Sequence, residues 1–179
     1  MLSERNILLG VTGGVAAYKA VDLASRLTGA GAAVRTVMTA SACELIRPKS
    51  FEAVTGQGVY TELWSLAQDH QIEHIHLVDW ADTVVVAPAT ANILGKMAGG
   101  IADDLLSTLL CVCWEKPLLI APAMNTRMWN NPAVQRNVNN LKETGCHFVG
   151  PEVGRLACGD QGLGRFAEVD AILKAIETL

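Results

Sequence analysis

Short apolar runs rich in β-branched residues alternate along this chain with longer segments whose apolar positions recur every three or four residues. Ile7 to Val11 reads as a first strand. Ala17, Ala20, Val21, Ala24 and Leu27 then fall on one face of a helix that Gly29 and Gly31 stop. Val34 to Met38 is a second strand, and the hydroxyl-bearing turn Thr39-Ala40-Ser41 opens another helix. Val59 to Leu63 is a short third strand. Thr83-Val84-Val85-Val86-Ala87 is an apolar run of the kind a central parallel strand needs when both its faces are covered, and Pro88 is expected to end it. Ala91 to Met97 and Asp104 to Cys113 read as helices, and Leu118 to Ala121 as a buried strand closed by Pro122. Pro132 to Thr144 is an amphipathic helix and His147 to Val149 a last short strand. Gly154 to Gly164 holds four glycines and reads as a loop or flap, and Asp170 as the cap of a final helix through Thr178.

Strand–helix alternation of this kind predicts a doubly wound (Rossmann/flavodoxin-like) α/β fold, a parallel sheet with helices on both faces. The 179 residues suit a single domain. Ligands in such folds bind beyond the carboxyl ends of the strands. Thr12–Gly14, Thr39–Ser41, Pro88–Asn92 and Pro122–Asn125 all fall there.

Composition narrows the field further. Half the residues are hydrophobic, which matches subunit contacts and equally a core rich in alanine and valine. The formal net charge is −4 and no Lys/Arg run exists, so a nucleic-acid or anionic-membrane partner is disfavoured. Any phosphate must be held locally. Met1 to Arg5 runs directly into the first strand without a targeting segment, and no apolar run approaches the roughly 20 residues that span a bilayer. Five cysteines (Cys43, Cys111, Cys113, Cys146, Cys158) fit no disulfide framework and point to a reducing cytoplasm.

The strand ends indicate a cofactor. Gly10-Val11-Thr12-Gly13-Gly14 has the composition of a phosphate-binding turn without being G-x-G-x-x-G, and many folds use such glycines for steric reasons alone. A dinucleotide site places Asp or Glu after the second strand to hold a ribose diol. Here Thr39 and Ser41 stand there, neutral donors that suit a phosphate at a helix N-terminus or simply cap the helix. Together these features favour a mononucleotide such as FMN over NAD or FAD.

Four segments are less generic: Gly13-Gly14-Val15-Ala16-Ala17-Tyr18-Lys19, Pro88-Ala89-Thr90-Ala91-Asn92, Pro122-Ala123-Met124-Asn125-Thr126-Arg127-Met128-Trp129, and Leu156-Ala157-Cys158-Gly159-Asp160 with Gly162, Gly164 and Arg165. With His74 in Glu73-His74-Ile75-His76-Leu77, they resemble the homo-oligomeric flavin-containing cysteine decarboxylases from about Asn6 to Phe166. Two departures are Thr90 and Ile93 where that family often has P-A-S-A-N-T, and Phe166 where methionine is common.

The resemblance implies FMN bound between subunits of a trimer, often built into a dodecamer. It also implies conversion of 4′-phospho-N-pantothenoylcysteine to 4′-phosphopantetheine in coenzyme A biosynthesis. In bacteria such a unit is commonly fused to a phosphopantothenoylcysteine synthetase domain, so the chain is expected to be stand-alone or the N-terminal portion of such a protein. By the same resemblance Gly13, Gly14, Val15, Thr39, Ser41, Pro88, Ala89, Thr90 and Asn92 belong to the cofactor site, and Ala123, Met124 and Asn125 to the substrate site.

Chemistry assigns roles within that set. Decarboxylation of a cysteine carboxylate needs an electron sink, which a flavin provides by first oxidising the thiol-bearing carbon. His74 is the candidate base, since imidazole titrates nearest neutrality; the alternative is a structural histidine. His76 beside it lacks a third metal ligand, and no metal is expected; His70 and His147 have no special context. Asn125 offers an uncharged donor to the substrate carboxylate, or is a turn residue. Cys158 is the candidate proton donor to the enethiolate, and an inert buried cysteine is the alternative. Arg165 either meets the substrate phosphate or makes a surface salt bridge. Peptidyl-cysteine decarboxylases, which stop at the enethiol, flavin prenyltransferases and non-catalytic flavoprotein regulators are the rival readings; Cys158 argues against the first.

Overall fold

The computed structural model describes residues 2–64 and 73–179. Strand β1 (Asn6–Val11) leads into helix α1 (Ala17–Gly29), then β2 (Ala33–Met38), the short α2 (Ala40–Leu45), α3 (Pro48–Thr55) and β3 (Val59–Tyr60). The second half runs α4 (Glu73–Trp80), β4 (Thr83–Ala89), α5 (Ala91–Gly99), α6 (Leu105–Val112), β5 (Leu118–Pro122), the single turn α7 (Thr126–Trp129), α8 (Pro132–Glu143) and β6 (His147–Phe148). A ribbon of β7 (Glu152–Arg155) and β8 (Gln161–Arg165) precedes the last helix, α9 (Val169–Glu177).

The six main strands form one parallel sheet in the order β3-β2-β1-β4-β5-β6. The chain winds outward from β1, returns to set β4 beside it, then winds the other way. That reversal opens a crevice at the carboxyl ends of β1 and β4. Strand alternation sorts side chains between two cores. Ile7, Leu9, Val11, Val85 and Ala87 pack under α1, α3 and α9, whereas Leu8, Val84, Val86 and Ile120 pack under α4, α5, α6 and α8. All seven residues of β4 are buried, which explains its continuous apolar run.

Helix ends follow local chemistry. Thr39 accepts from the Ala42 N–H at 3.2 Å to start α2, and Asp104 and Ser107 form a reciprocal capping box on α6. Pro48 and Pro132 sit in the first turns of α3 and α8.

Several sequence expectations are corrected. Pro88 does not end its strand. β4 continues through a register irregularity between Val86 and Ala89, where a missing N–H is tolerated, and Ala89 pairs with Pro122. Helices α3 and α4 were not anticipated. α3 is short and is held by one fully buried side chain, Phe51, worth about 1.5–3 kcal/mol of transfer free energy. Gly154 to Gly164 is a loop only over residues 156–160; its two ends are strands of the antiparallel ribbon, where backbone pairing compensates for the missing side chains. Asp170 lies in the first turn of α9 rather than at its cap, which is Glu168, and it pairs with Arg26 of α1.

Candidate active site

The ends of β1 and β4 are tied together by one side chain. Thr12, buried, donates its hydroxyl to the Pro88 carbonyl at 2.6 Å and accepts from the Thr90 N–H at 3.1 Å. The turn that follows needs glycine. A Cβ on Gly13 would overlap Ser41 and stand 2.9 Å from its carbonyl carbon, and Gly14 faces the Thr90 methyl at 3.5 Å. Among the described residues the N–H groups of Gly13, Val15 and Ala16 donate to no protein acceptor, and α1 has no side-chain cap. Free donors at a helix N-terminus form an anion cradle.

A cleft of about 710 Å³ opens beside this turn, a size that suits a bound organic cofactor or substrate. Gly13, Gly14, Val15 and Thr90 line it, as do Ala123, Met124 and Asn125, with Cys158 and Arg165 from the ribbon side. Five of the cofactor-site residues named from the sequence are not in its lining. Thr39 accepts from the Ala42 N–H through its hydroxyl oxygen, which leaves the O–H free to donate, and Ser41 lies behind Gly13. Pro88 and Ala89 are strand residues, and Asn92 is exposed on α5.

The ribbon reaches this cleft through its backbone. The Met124 N–H donates to the Gly164 carbonyl at 3.0 Å, with Gly164 at φ +144°. A side chain on Gly164 would overlap the Met124 carbonyl, and one on Gly162 would overlap the Thr126 hydroxyl. This docking sets Cys158 against Asn125. Asn125 caps α7 by accepting from the Arg127 N–H at 2.8 Å, which commits its carbonyl oxygen and turns its amide nitrogen outward. That nitrogen donates to Cys158 Sγ at 3.3 Å, and the thiol donates to Asp160 Oδ2 at 3.5 Å.

The other cysteines differ. Burial pushes the Cys113 thiol up to about 12 and raises those of Cys43 and Cys146, so these remain protonated packing groups. Arg165 is committed elsewhere, its guanidinium binding Glu152 at 2.5 Å and Glu168 at 2.6 Å. His74 is half-buried on α4, whose main partner is α6 on the other face of the sheet, and it does not line the cleft. One chain therefore unites Asn125 with Cys158 but not with His74. His70 lies outside the described residues. Sequence reasoning missed Lys19 and Arg155, which line the cleft, and the role of Asp160 beside Cys158. An acid and a base at opposite ends of a glycine-rich hairpin, Glu152 and Arg165, were the available sign that Arg165 is neutralised.

A family model described as Flavoprotein matches residues 1–179. The chain belongs to the Flavoprotein family. This flavoprotein is 48% identical over 177 residues to the coenzyme A biosynthesis bifunctional protein CoaBC of Bacillus subtilis (strain 168), covering 99% of the chain and 43% of that protein. The chain thus spans less than half the length of the curated relatives it matches. Among solved structures it resembles a PPC decarboxylase mutant complexed with pantothenoylaminoethenethiol, with a TM-score of 0.87 and 37% identity over 98% of this chain and 97% of that one. It also resembles the FMN-dependent cysteine decarboxylase SpaF, with a TM-score of 0.82 and 37% identity over 98% and 99%. The cradle at Gly13–Ala16 fits the phosphate of a flavin mononucleotide, since it presents main-chain donors and no carboxylate to a ribose diol. Among the described residues, no helix of this flavoprotein is long and apolar enough to cross a membrane.

Proposed function

We propose that this flavoprotein uses FMN to decarboxylate 4′-phospho-N-pantothenoylcysteine to 4′-phosphopantetheine in coenzyme A biosynthesis. The observation that carries this reading is the contact between Asn125 and Cys158 at the cleft wall, one group suited to hold a carboxylate and the other to deliver a proton.

FMN, when bound, supplies the two-electron oxidation of the thiol-bearing carbon and the matching reduction after carbon dioxide leaves. Asn125 binds the substrate carboxylate through Nδ2, without the full charge that would oppose its conversion to neutral carbon dioxide. Its orientation is held in advance by the α7 cap, so no reorganisation is needed. Loss of carbon dioxide leaves an enethiolate, and Cys158 gives its Sγ proton to the carbon that carried the carboxylate. Asp160, accepting from the thiol, aims the proton before substrate arrives. His74 takes the proton from the substrate thiol.

Because His74 lies away from the cleft of its own chain, the same reading includes a homotrimer, single or assembled into a dodecamer, in which His74 of one copy serves the cleft of the next. Exposed Val15, Tyr18 and Met128 at the cleft give such a contact apolar surface. The length of the bifunctional relatives supports a phosphopantothenoylcysteine synthetase unit as partner. Five free cysteines suit the cytoplasm.

Equal identity to SpaF favours one second reading, oxidative decarboxylation of a peptidyl cysteine that stops at the enethiol. Mass spectrometry of the product from purified protein and 4′-phospho-N-pantothenoylcysteine separates the two. Saturated 4′-phosphopantetheine is expected. An enethiol as the lasting product would favour the second reading, and no loss of carbon dioxide would remove the first.

A further inference from the structure

We propose that Arg155 and Lys19 form the subsite for the phosphate monoester of the substrate, and that Arg165 does not. The inference rests on the function proposed above and adds the residues that set its substrate preference.

The chain carries a net charge of −4, yet among the described residues the cleft lining contains Lys19, Arg155 and Arg165 and no Asp or Glu. Arg165 contributes little of that positive field, because Glu152 and Glu168 occupy its guanidinium. The ribbon register explains the difference. Glu152 pairs across the ribbon with Arg165, whereas Arg155 pairs with neutral Gln161. Among the described residues neither Arg155 nor Lys19 makes an ion pair. Lys19 stands in the first turn of α1, which has no acidic residue, and the helix dipole disfavours a cation there. A dianionic group held in the cleft by Lys19 and Arg155, beside the main-chain cradle rather than in it, removes that conflict.

A phosphate monoester fits this pair. It carries about −1.5 to −2 charges at neutral pH, and a guanidinium fork binds two of its oxygens at once. Arg155 lies three residues before Cys158 on the same ribbon, so a substrate held there by its phosphate presents its other end to Asn125 and Cys158. FMN carries a phosphate of the same chemistry. The free main-chain donors of Gly13, Val15 and Ala16 already provide for that one.

The test compares wild-type holoprotein with Arg155→Gln and Lys19→Gln on phosphorylated and unphosphorylated pantothenoylcysteine. A lost charge-assisted contact should lower the kcat/KM preference for the phosphorylated substrate by roughly 10- to 100-fold in each variant, mainly through KM. Arg155→Lys should recover part of it. An unchanged preference would overturn the subsite, and so would release of FMN in place of a change in preference. Calorimetric binding of 4′-phosphopantetheine against pantetheine gives a reading independent of turnover. If wild type decarboxylates neither substrate, the function proposed above fails. The subsite then stands only if wild type prefers the phosphorylated ligand and Arg155→Gln does not.

Discussion

The side-chain amide of Asn125 donates to the thiol sulfur of Cys158 at 3.3 Å, joining a strand-end turn to the tip of a ribbon 33 residues later. Each partner is fixed by a second bond, Asn125 by its α7 cap and Cys158 by Asp160. On the proposed function, a carboxylate entering the cleft would meet a donor whose direction is already set, next to the proton that the reaction needs.

Replacing Cys158 by serine should leave oxidation and loss of carbon dioxide intact and stall the return step. A serine hydroxyl is far less acidic than a thiol of pKa about 8.5. The expected product is two hydrogens short of 4′-phosphopantetheine, which mass spectrometry reads directly. A cysteine-to-serine form of the similar PPC decarboxylase holding pantothenoylaminoethenethiol is what a cysteine proton donor implies for that protein. Saturated product at the wild-type rate would assign the proton to another group.

His74→Asn should keep FMN and lower turnover by about 10²–10⁴-fold. If His74 acts across a subunit boundary, mixing His74→Asn chains with Cys158→Ser chains, by dissociation and reassembly, should restore the rate of saturated product, which neither parent makes at more than a small fraction of the wild-type rate. No recovery in verified mixed oligomers would place His74 and Cys158 in the same site of one chain, or remove His74 from the reaction.

Gly164→Ala should undock the ribbon. At φ +144° an alanine is strained by about 1–3 kcal/mol, and its methyl would overlap the Met124 carbonyl. The sheet core does not depend on this contact, so the variant should stay folded and become sensitive to proteolysis between residues 150 and 166. Wild-type protease resistance there would show that the ribbon tolerates the side chain.

Acid should weaken the α5–α6 connection. Lys96 binds Asp103 at 2.5 Å and Asp104 at 2.6 Å. Its hydrogen bond holds Asp103 below the usual carboxylate range. At Asp104 burial pushes the carboxyl up, but the Lys96 and Ser107 bonds together outweigh it and hold the value low. Carboxyls depressed on folding stabilise above their unfolded pKa of about 3.9, and that contribution is lost as the pH falls through the folded values. Thermal midpoints should therefore fall steeply below about pH 4 in wild type and less steeply in Lys96→Met. Parallel curves would mean that this cluster does not govern acid stability.

The linear chain determined the sheet and its two faces. Alternation in β1 and the unbroken apolar run of β4 record burial residue by residue, and burial is a local property that a periodicity can carry. The same holds for residue types in the turns, where glycine, Asn125 and Cys158 carry the chemistry that the proposed function uses. What tertiary structure alone decided is who meets whom. Ribbon pairing gave Arg165 to Glu152 and left Arg155 at the cleft with no ion pair among the described residues; a glycine-rich stretch reads as loop until two such strands exchange main-chain bonds. Thr39 bears the hydroxyl expected for a phosphate, yet its nearest acceptor role is a helix cap, because that N–H is three residues away and always present. His74 carries the imidazole that the proposed function needs, but the return from β3 to β4 puts α4 on the face opposite α1; a right-handed crossover fixes that side only once the strand order is known, and no local pattern encodes the order.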